Sequence, residues 1–525
     1  MFPHTAYAGP PRPIVVTLSQ PDGSTFAARA WGDEWSNGME TLEGYTILRD
    51  PQSQYWVYAV RVANGSLSPA KGPRGNLVVA KDSPAQLTRF ARPATSLRKP
   101  SAPRGYIRPN IGTQKVLVIL ARFADQAPVG TDAANWSAKF FGATNSVKSY
   151  YNEVSYNQLN IAPAEETFGT ANDGVVGWLT LPINHPNGSN DQFVHDAIVA
   201  ADPFVDFAAF DTNGDGYISF DELHIVVIAA GYESSYVIYG SCGKSIWAHE
   251  SSLGGSIPAP VLDGKTVAAW SGNGGYTTFG EWHCDTGDLP PLPTGGHAAT
   301  IGPVVHELGH DLGLPDLYDV SYQTAGVGRW SLMSTGLWNT SGVYDGSSPA
   351  HPDPWSRWYE GWVTPTQIPV APLVVRLPAI ETSPTVFQLL DNPNGVDWLF
   401  DAHSGTGEYF LVENRQKLGF DVGIPGSGLL IWHIDEGVSF YNDANANANH
   451  RLVDLEQADG LRQLNITSGG NAGDAGDPFP GSTVNQAFTA TSNPNSNLYS
   501  GLPSGVTITN ISYWFYFPEI GKTPP

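Results

Sequence analysis

The chain is poor in sulfur, with two cysteines and three methionines in 525 residues. The first cysteine is Cys242, so no upstream thiol can act as a latency switch on a metal. Cys242 and Cys284 can form one disulfide in an oxidising compartment or remain two buried thiols. Basic side chains are also scarce: 27 Lys and Arg stand against 50 Asp and Glu, for a net charge of −23. A surface this acidic repels phosphate backbones and anionic lipid, so no nucleic-acid or membrane-surface partner is expected. No run approaches the roughly 20 apolar residues of a membrane span. Charged residues are only 15% of the chain, too few for a solvated disordered polymer. The opening MFPHTAYAGPPRP lacks the basic-then-apolar pattern of a signal peptide. On that reading the signal is missing from this chain or the protein stays inside.

What is present is apolar, turn-rich and aromatic. A single core stops growing near about 250–300 residues, so two or three domains are expected. The 57 glycines, 42 prolines, 16 tryptophans and 22 tyrosines favour many turns and aromatic-rich strands over long helices. From Pro13 to about Val79 strand-like runs alternate with Gly, Asp and Asn turns. Residues 82–109 are rich in Pro, Ser and Arg and read as a linker that a protease could cut. VLVILARFA from Val116 and HIVVIAA over 224–230 read as buried strands. Helices are expected near Ser146–Glu153 and Asp191–Ala201, and a third carries VVHELGHDLG, with Pro303 as its first residue and Gly313 ending it. After Trp362 the helical signal fades into short strands separated by turns.

The stretch HELGHDLGLPDLYD, His306 to Asp319, carries the chemistry. Positions i and i+4 share one helix face, so His306 and His310 can ligate a single zinc ion. Glu307 lies beside them and can act as general base on zinc-bound water. Gly313 permits a sharp reversal at positive φ. Asp316, at i+10, is the preferred third ligand by spacing, with Asp319 the alternative. Met333, in WSLMSTG, matches the methionine turn found beneath the metal in metzincins. A thermolysin-type layout needs a downstream helix with a glutamate, and VSYQTAGVGRWSLMSTGLWN contains none.

A second motif, DTNGDGYISFDE from Asp211 to Glu222, fits D-x-[DN]-x-[DN]-G-x5-E in full. Oxygens of Asp211, Asn213, Asp215, Tyr217 (through its carbonyl), Ser219 and Glu222 can surround a calcium ion. A single unpaired loop of this kind is expected to be structural.

These motifs resemble the immune inhibitor A family of secreted metallopeptidases. So do DTNGDGYISFDELHIVVIAAG, SIWAHES and GRWSLMSTG in the middle of the chain, with EYFLVENRQKLGFD, GSGLLIWHIDEG and HRLVDLEQADG downstream and QPDGSTFAARAWGDEW and LEGYTILRD upstream. The resemblance implies an α+β multidomain chain. Its parts are a propeptide-like β-rich region and linker over 1–109, a metzincin-like zinc peptidase domain over 110–365 and an antiparallel, sandwich-like β domain over 366–525. It also implies a secreted zinc endopeptidase acting on protein or peptide substrates, with one catalytic Zn²⁺, at least one structural Ca²⁺ and a removable prodomain; a monomer is expected. His306, His310 and Asp316 carry over as ligands and Glu307 as base. Thr335 stands two residues after Met333, where some metzincins keep a tyrosine, so no oxyanion stabiliser is assigned. Latency is open: a carboxylate from Asp33 or Glu34 in the WGDEW stretch is the candidate cap on the zinc in the uncleaved chain, and a surface turn is the other reading of that stretch. The alternative function is a non-catalytic calcium-dependent adhesion or carbohydrate-binding protein on a peptidase scaffold, which the aromatic β region would serve; the retained Glu307 argues against it.

Overall fold

VLVILA is apolar at every position because both of its sides are buried. Val116, Val118 and Leu120 enter one core layer, and Leu117, Ile119 and Ala121 enter another. A parallel strand buried in this way needs cover above and below. The computed structural model provides it; it describes residues 9–33, 36–73, 75–92, 110–188, 190–236, 242–284, 296–342, 344–368, 373–391, 407–438, 444–467, 470–512 and 519–522.

The central sheet runs in the order Leu159–Pro163, Gly112–Arg122, His224–Glu233, Tyr276–His283, His249–Ser251. Its pairings are parallel until the last, where His249–Ser251 lies antiparallel on the edge. Helices α1 (Ala133–Phe141), α2 (Val147–Val154) and α4 (Ile301–Asp311) pack on one face and α3 (Asp191–Ala201) on the other. The α2 and α3 spans match the sequence expectation to within a residue. The sequence reading passed over α1, whose capping box joins Asp132 and Asn135 and whose buried pair is Trp136 and Phe140. Cys242 and Cys284 form a disulfide that ties the segment after His224–Glu233 to the end of Tyr276–His283.

The expected N-terminal β region is a six-stranded antiparallel sheet in sequence order, from Val15–Ser19 to Leu67–Pro69. It has its own small core around Ala28, Met39, Ile47, Trp56 and Tyr58. Most of the arginine-bearing linker, 93–109, lies outside the described residues. Downstream, a five-stranded sheet runs in the order Thr366–Gln367, Phe387–Leu389, Glu408–Arg415, Gly428–Asp435, Val453–Leu455, antiparallel except for its first pair. The whole is a mixed α/β chain with many strands and few helices. No helix among the described residues is long and apolar enough to cross a membrane.

One face of the downstream sheet enters the core that holds α4. Tyr409, Leu411, Leu430, Trp432, Ile434 and Val453 share a cluster with Val304, Val305 and Leu308. The opposite face, with Phe410, Val412 and Ile431, makes a separate cluster. A charged pair crosses the same boundary: Arg357, on α5 (Pro354–Tyr359), pairs with Glu413, and beside it, within the downstream segment, Arg415 bonds Asp421 at 2.8 Å, all four fully buried. A shared core couples the unfolding of its parts. Truncating the fully buried Trp432 to Ala should therefore cost about 3–5 kcal/mol. Urea unfolding should show the whole loss in the same transition that releases metal from α4, whereas two separate transitions would show that the downstream sheet unfolds on its own.

Candidate metal centre

Helix α4 begins at Ile301, two residues earlier than the sequence reading placed it, so Pro303 is its third residue rather than its first. The proline costs nothing there, because the first four helical N–H groups have no partner inside the helix. The C-terminus closes in a Schellman turn. Gly313 takes φ +105°, its N–H reaches the His310 carbonyl at 2.9 Å, and the Leu314 N–H reaches the Gly309 carbonyl at 2.9 Å. The chain is thereby turned back under the helix, carrying Asp316 with it.

His306 and His310 are buried on one face of α4 with Glu307 between them. Each imidazole is oriented by its far nitrogen. Nδ1 of His306 lies 2.8 Å from the Leu332 carbonyl, and Nδ1 of His310 lies 2.8 Å from the Leu314 carbonyl. A carbonyl only accepts, so Nδ1 carries a proton in both rings, and Nε2 is the atom left to ligate a metal. Burial favours the neutral form, lowering the His310 pKa despite the opposing pull of Asp316. Both Nε2 atoms face Oδ1 of Asp316, each at 3.3 Å. Nε2 of His306 is buried and makes no hydrogen bond.

These residues fit a zinc ion. Ligands held tetrahedrally at about 2.0–2.1 Å stand roughly 3.3–3.4 Å from one another, which is the separation found here. Two imidazoles and one carboxylate also form a donor set suited to zinc. One ligand atom each from His306, Glu307 and His310 falls within 4.8 Å of the others. Asp319, the alternative ligand, is committed to its own loop, accepting from Ser321 and Thr324 through both oxygens.

The surrounding shell explains several residues the motif left open. A Cβ on Gly309 would meet Met333 Sδ at 2.9 Å, so the methionine packs directly under the helix. The Met333 carbonyl takes the Leu317 N–H at 2.7 Å, which ties the methionine turn to the segment bearing Asp316. Asp311 lies 3.0 Å from His224 on a central strand, and Asn110 caps the Leu312 carbonyl at 2.8 Å.

An unanticipated contact comes from the N-terminus. The Gly9 N–H donates to Glu307 Oε1 at 2.7 Å. Trp247 Nε1 donates to the Gly9 carbonyl at 3.0 Å, and Trp338 Nε1 donates to the Pro10 carbonyl at 2.8 Å. Arg12 lies over the Tyr236 ring at 3.9 Å and 3.5 Å from Asp345. Asp33 instead accepts from Ser36 at 2.9 Å and from the Tyr322 hydroxyl; Glu34 lies outside the described residues. Trp247 and Trp338, which the sequence reading quoted without assigning a role, thus hold the backbone of Gly9 and Pro10. Their only signal was a large donor-bearing aromatic near the motif.

At the 211–222 loop, Gly214 and Gly216 take positive φ, and Asp211, Asn213 and Asp215 accept the loop's own N–H groups. Glu222 accepts from Thr212 and Ser219, while Lys265 pairs with Asp211 at 2.5 Å. Among the expected calcium donors, Asp211 thus has a cation already, and Glu222 bridges the two ends of the loop. Tyr217 sits where the loop pairs with Thr266.

A helix presenting two imidazoles and a glutamate, with a carboxylate returned beneath it by a glycine turn, is the site architecture of zinc metallopeptidases. Residues 137–362 match the family model described as immune inhibitor A peptidase M6, catalytic domain. The chain is 27% identical over 302 residues to the pre-pro-metalloprotease PrtV of Vibrio cholerae serotype O1 (strain M66-2), an alignment covering 52% of this chain and 29% of that protein. It is 28% identical over 307 residues to immune inhibitor A of Bacillus thuringiensis subsp. alesti, covering 50% and 41% respectively. It thus spans less than half the length of these curated relatives. Replacing Asp316 by Ala should weaken zinc binding by more than the roughly 10–100-fold typical of losing an outer hydrogen-bond partner. Asp319→Ala should leave zinc affinity near wild type, and metal titration with a competing chelator measures both.

Proposed function

We propose that this chain is a secreted, zinc-dependent endopeptidase of the metzincin-like kind, which hydrolyses internal peptide bonds of proteins. The observation that carries this reading is the approach of His306 Nε2 and His310 Nε2 to the same Asp316 oxygen, 3.3 Å from each, beside Glu307. His306, His310 and Asp316 would hold the metal. Zinc bound there supplies a Lewis acid for the scissile carbonyl and lowers the pKa of water to about 7. Glu307 accepts the proton of the attacking water and returns it to the leaving amine. Leu332 and Leu314 keep both imidazoles in the ligating tautomer through their carbonyls. Met333 against Gly309 and the turn at Gly313 support the metzincin-like layout. The 211–222 loop serves as a structural calcium site, in which Lys265 gives way to the ion.

The chain as it stands is latent in this reading. Gly9 donates to a carboxylate oxygen of Glu307, the group that would receive the water proton, and the backbone of Gly9 and Pro10 is held by two tryptophan N–H groups. A substrate backbone and the N-terminal segment compete for that space.

Glu307→Ala should retain stoichiometric zinc and lose about 10²–10⁴-fold in casein hydrolysis, the range expected when acid–base catalysis alone is removed. Undiminished, chelator-sensitive hydrolysis by that variant would sink the assignment. A chain beginning at Pro13 should turn over a short quenched-fluorescence peptide faster than the full chain at equal zinc content; equal rates would remove the latency reading.

A further inference from the structure

The second group of potential ligands lies away from the catalytic helix. Asp459, Asp474 and Asp477 each bring a carboxylate oxygen within 4.8 Å of the other two. Acidic clusters are common without an ion, and two further observations separate this one from a solvated patch. Asp477 is fully buried, and its Oδ1 accepts no hydrogen bond. Its other oxygen accepts from Trp330 Nε1 at 2.9 Å and from the Asp474 N–H at 2.9 Å, so the side chain is held in place by an indole and the loop backbone. Gly476 provides the second observation. A Cβ there would lie 2.7 Å from Asp459 Oδ2 and 2.9 Å from Asp474 Oδ1, so two carboxylates close on a space that any other residue would fill.

We propose that Asp459, Asp474 and Asp477 bind a calcium ion, separate from the 211–222 loop, which braces the segment beneath the zinc helix. The donors are all oxygens, which selects a hard cation over zinc or copper. Calcium tolerates the irregular geometry of three carboxylates with carbonyl or water oxygens completing six to eight ligands, whereas magnesium demands a near-ideal octahedron. Three carboxylates this close repel one another, and one of them is out of water. A divalent cation removes that imbalance.

The consequence reaches the catalytic centre through one short path. Trp330, bonded to Asp477, stands two residues before Leu332, whose carbonyl orients His306. The Arg329 N–H also reaches the Ala472 carbonyl at 2.8 Å, a second tie between the same loops. An ion among the three aspartates would fix the 471–477 segment against the loop on which the His306 tautomer depends.

The test uses the full chain and does not depend on its being a peptidase. Calcium bound per chain is measured by equilibrium dialysis and elemental analysis for wild type, Gly476→Ala, Asp459→Asn and Asp215→Asn. Gly476 has an ordinary φ, so an added methyl strains the site rather than the backbone. Gly476→Ala and Asp459→Asn should each bind one calcium fewer than wild type and show a smaller calcium-induced rise in melting temperature. Asp215→Asn should keep this equivalent. Unchanged stoichiometry in both Gly476→Ala and Asp459→Asn overturns the proposal. Should the variants not fold, wild-type crystals soaked in terbium chloride decide it: an anomalous peak between the three carboxylates supports the site, and a map without one there overturns it.

Discussion

The constraint on which the rest depends is that three electron-rich atoms must face one point. The Nε2 atoms of two imidazoles each lie 3.3 Å from one carboxylate oxygen, and with both rings in the ligating form these groups repel one another unless a cation lies between them. Such an arrangement persists only if each group is held from behind. The backing is specific: the Leu332 and Leu314 carbonyls for the two rings, the Gly313 reversal for the aspartate, and Met333 packed against Gly309 for the helix itself. Each support comes from a different part of the 301–338 segment, so the site is a property of that segment's tertiary path rather than of the five-residue motif.

The helix is in turn anchored by the whole molecule. His224 from the central sheet meets Asp311, Asn110 caps the helix C-terminus, and the downstream sheet supplies Leu411, Leu430 and Trp432 to the core around it. Buried ion pairs along that boundary, Arg357 with Glu413 and Arg415 with Asp421, are costly to desolvate and stable only while every partner remains. The first of them joins α5 to the downstream sheet. The N-terminal segment is attached differently: Gly9 and Pro10 are held chiefly by hydrogen bonds from Trp247 and Trp338 and by Gly9's own bond to Glu307. Polar attachments of this sort exchange readily for water or for another peptide backbone.

Much of this was legible in the linear chain, and the reasons are local. The i, i+4 spacing of His306 and His310 survives folding because a helix carries its periodicity with it. Gly313 was readable because only glycine takes positive φ at no steric cost. VLVILA and HIVVIAA announced doubly covered strands by having no polar side. Pro303 misled because a proline near a helix start suggests the first position, although the third is equally free of hydrogen-bonding duty. α1 was missed because only two of its residues, Trp136 and Phe140, are buried, and its capping residues read equally well as a turn.

The sequence by itself determined the metal-binding pair, the glycine reversal, the strand runs and the acidic loop, because each depends on residues within about a dozen positions of one another. Only the tertiary structure decided which aspartate faces the histidines, that a backbone N–H from Gly9 reaches Glu307, and that Asp459 meets Asp474 and Asp477. Those contacts join groups brought together by chain reversals or by the packing of separate sheets, and no local periodicity encodes the direction in which two distant segments will meet.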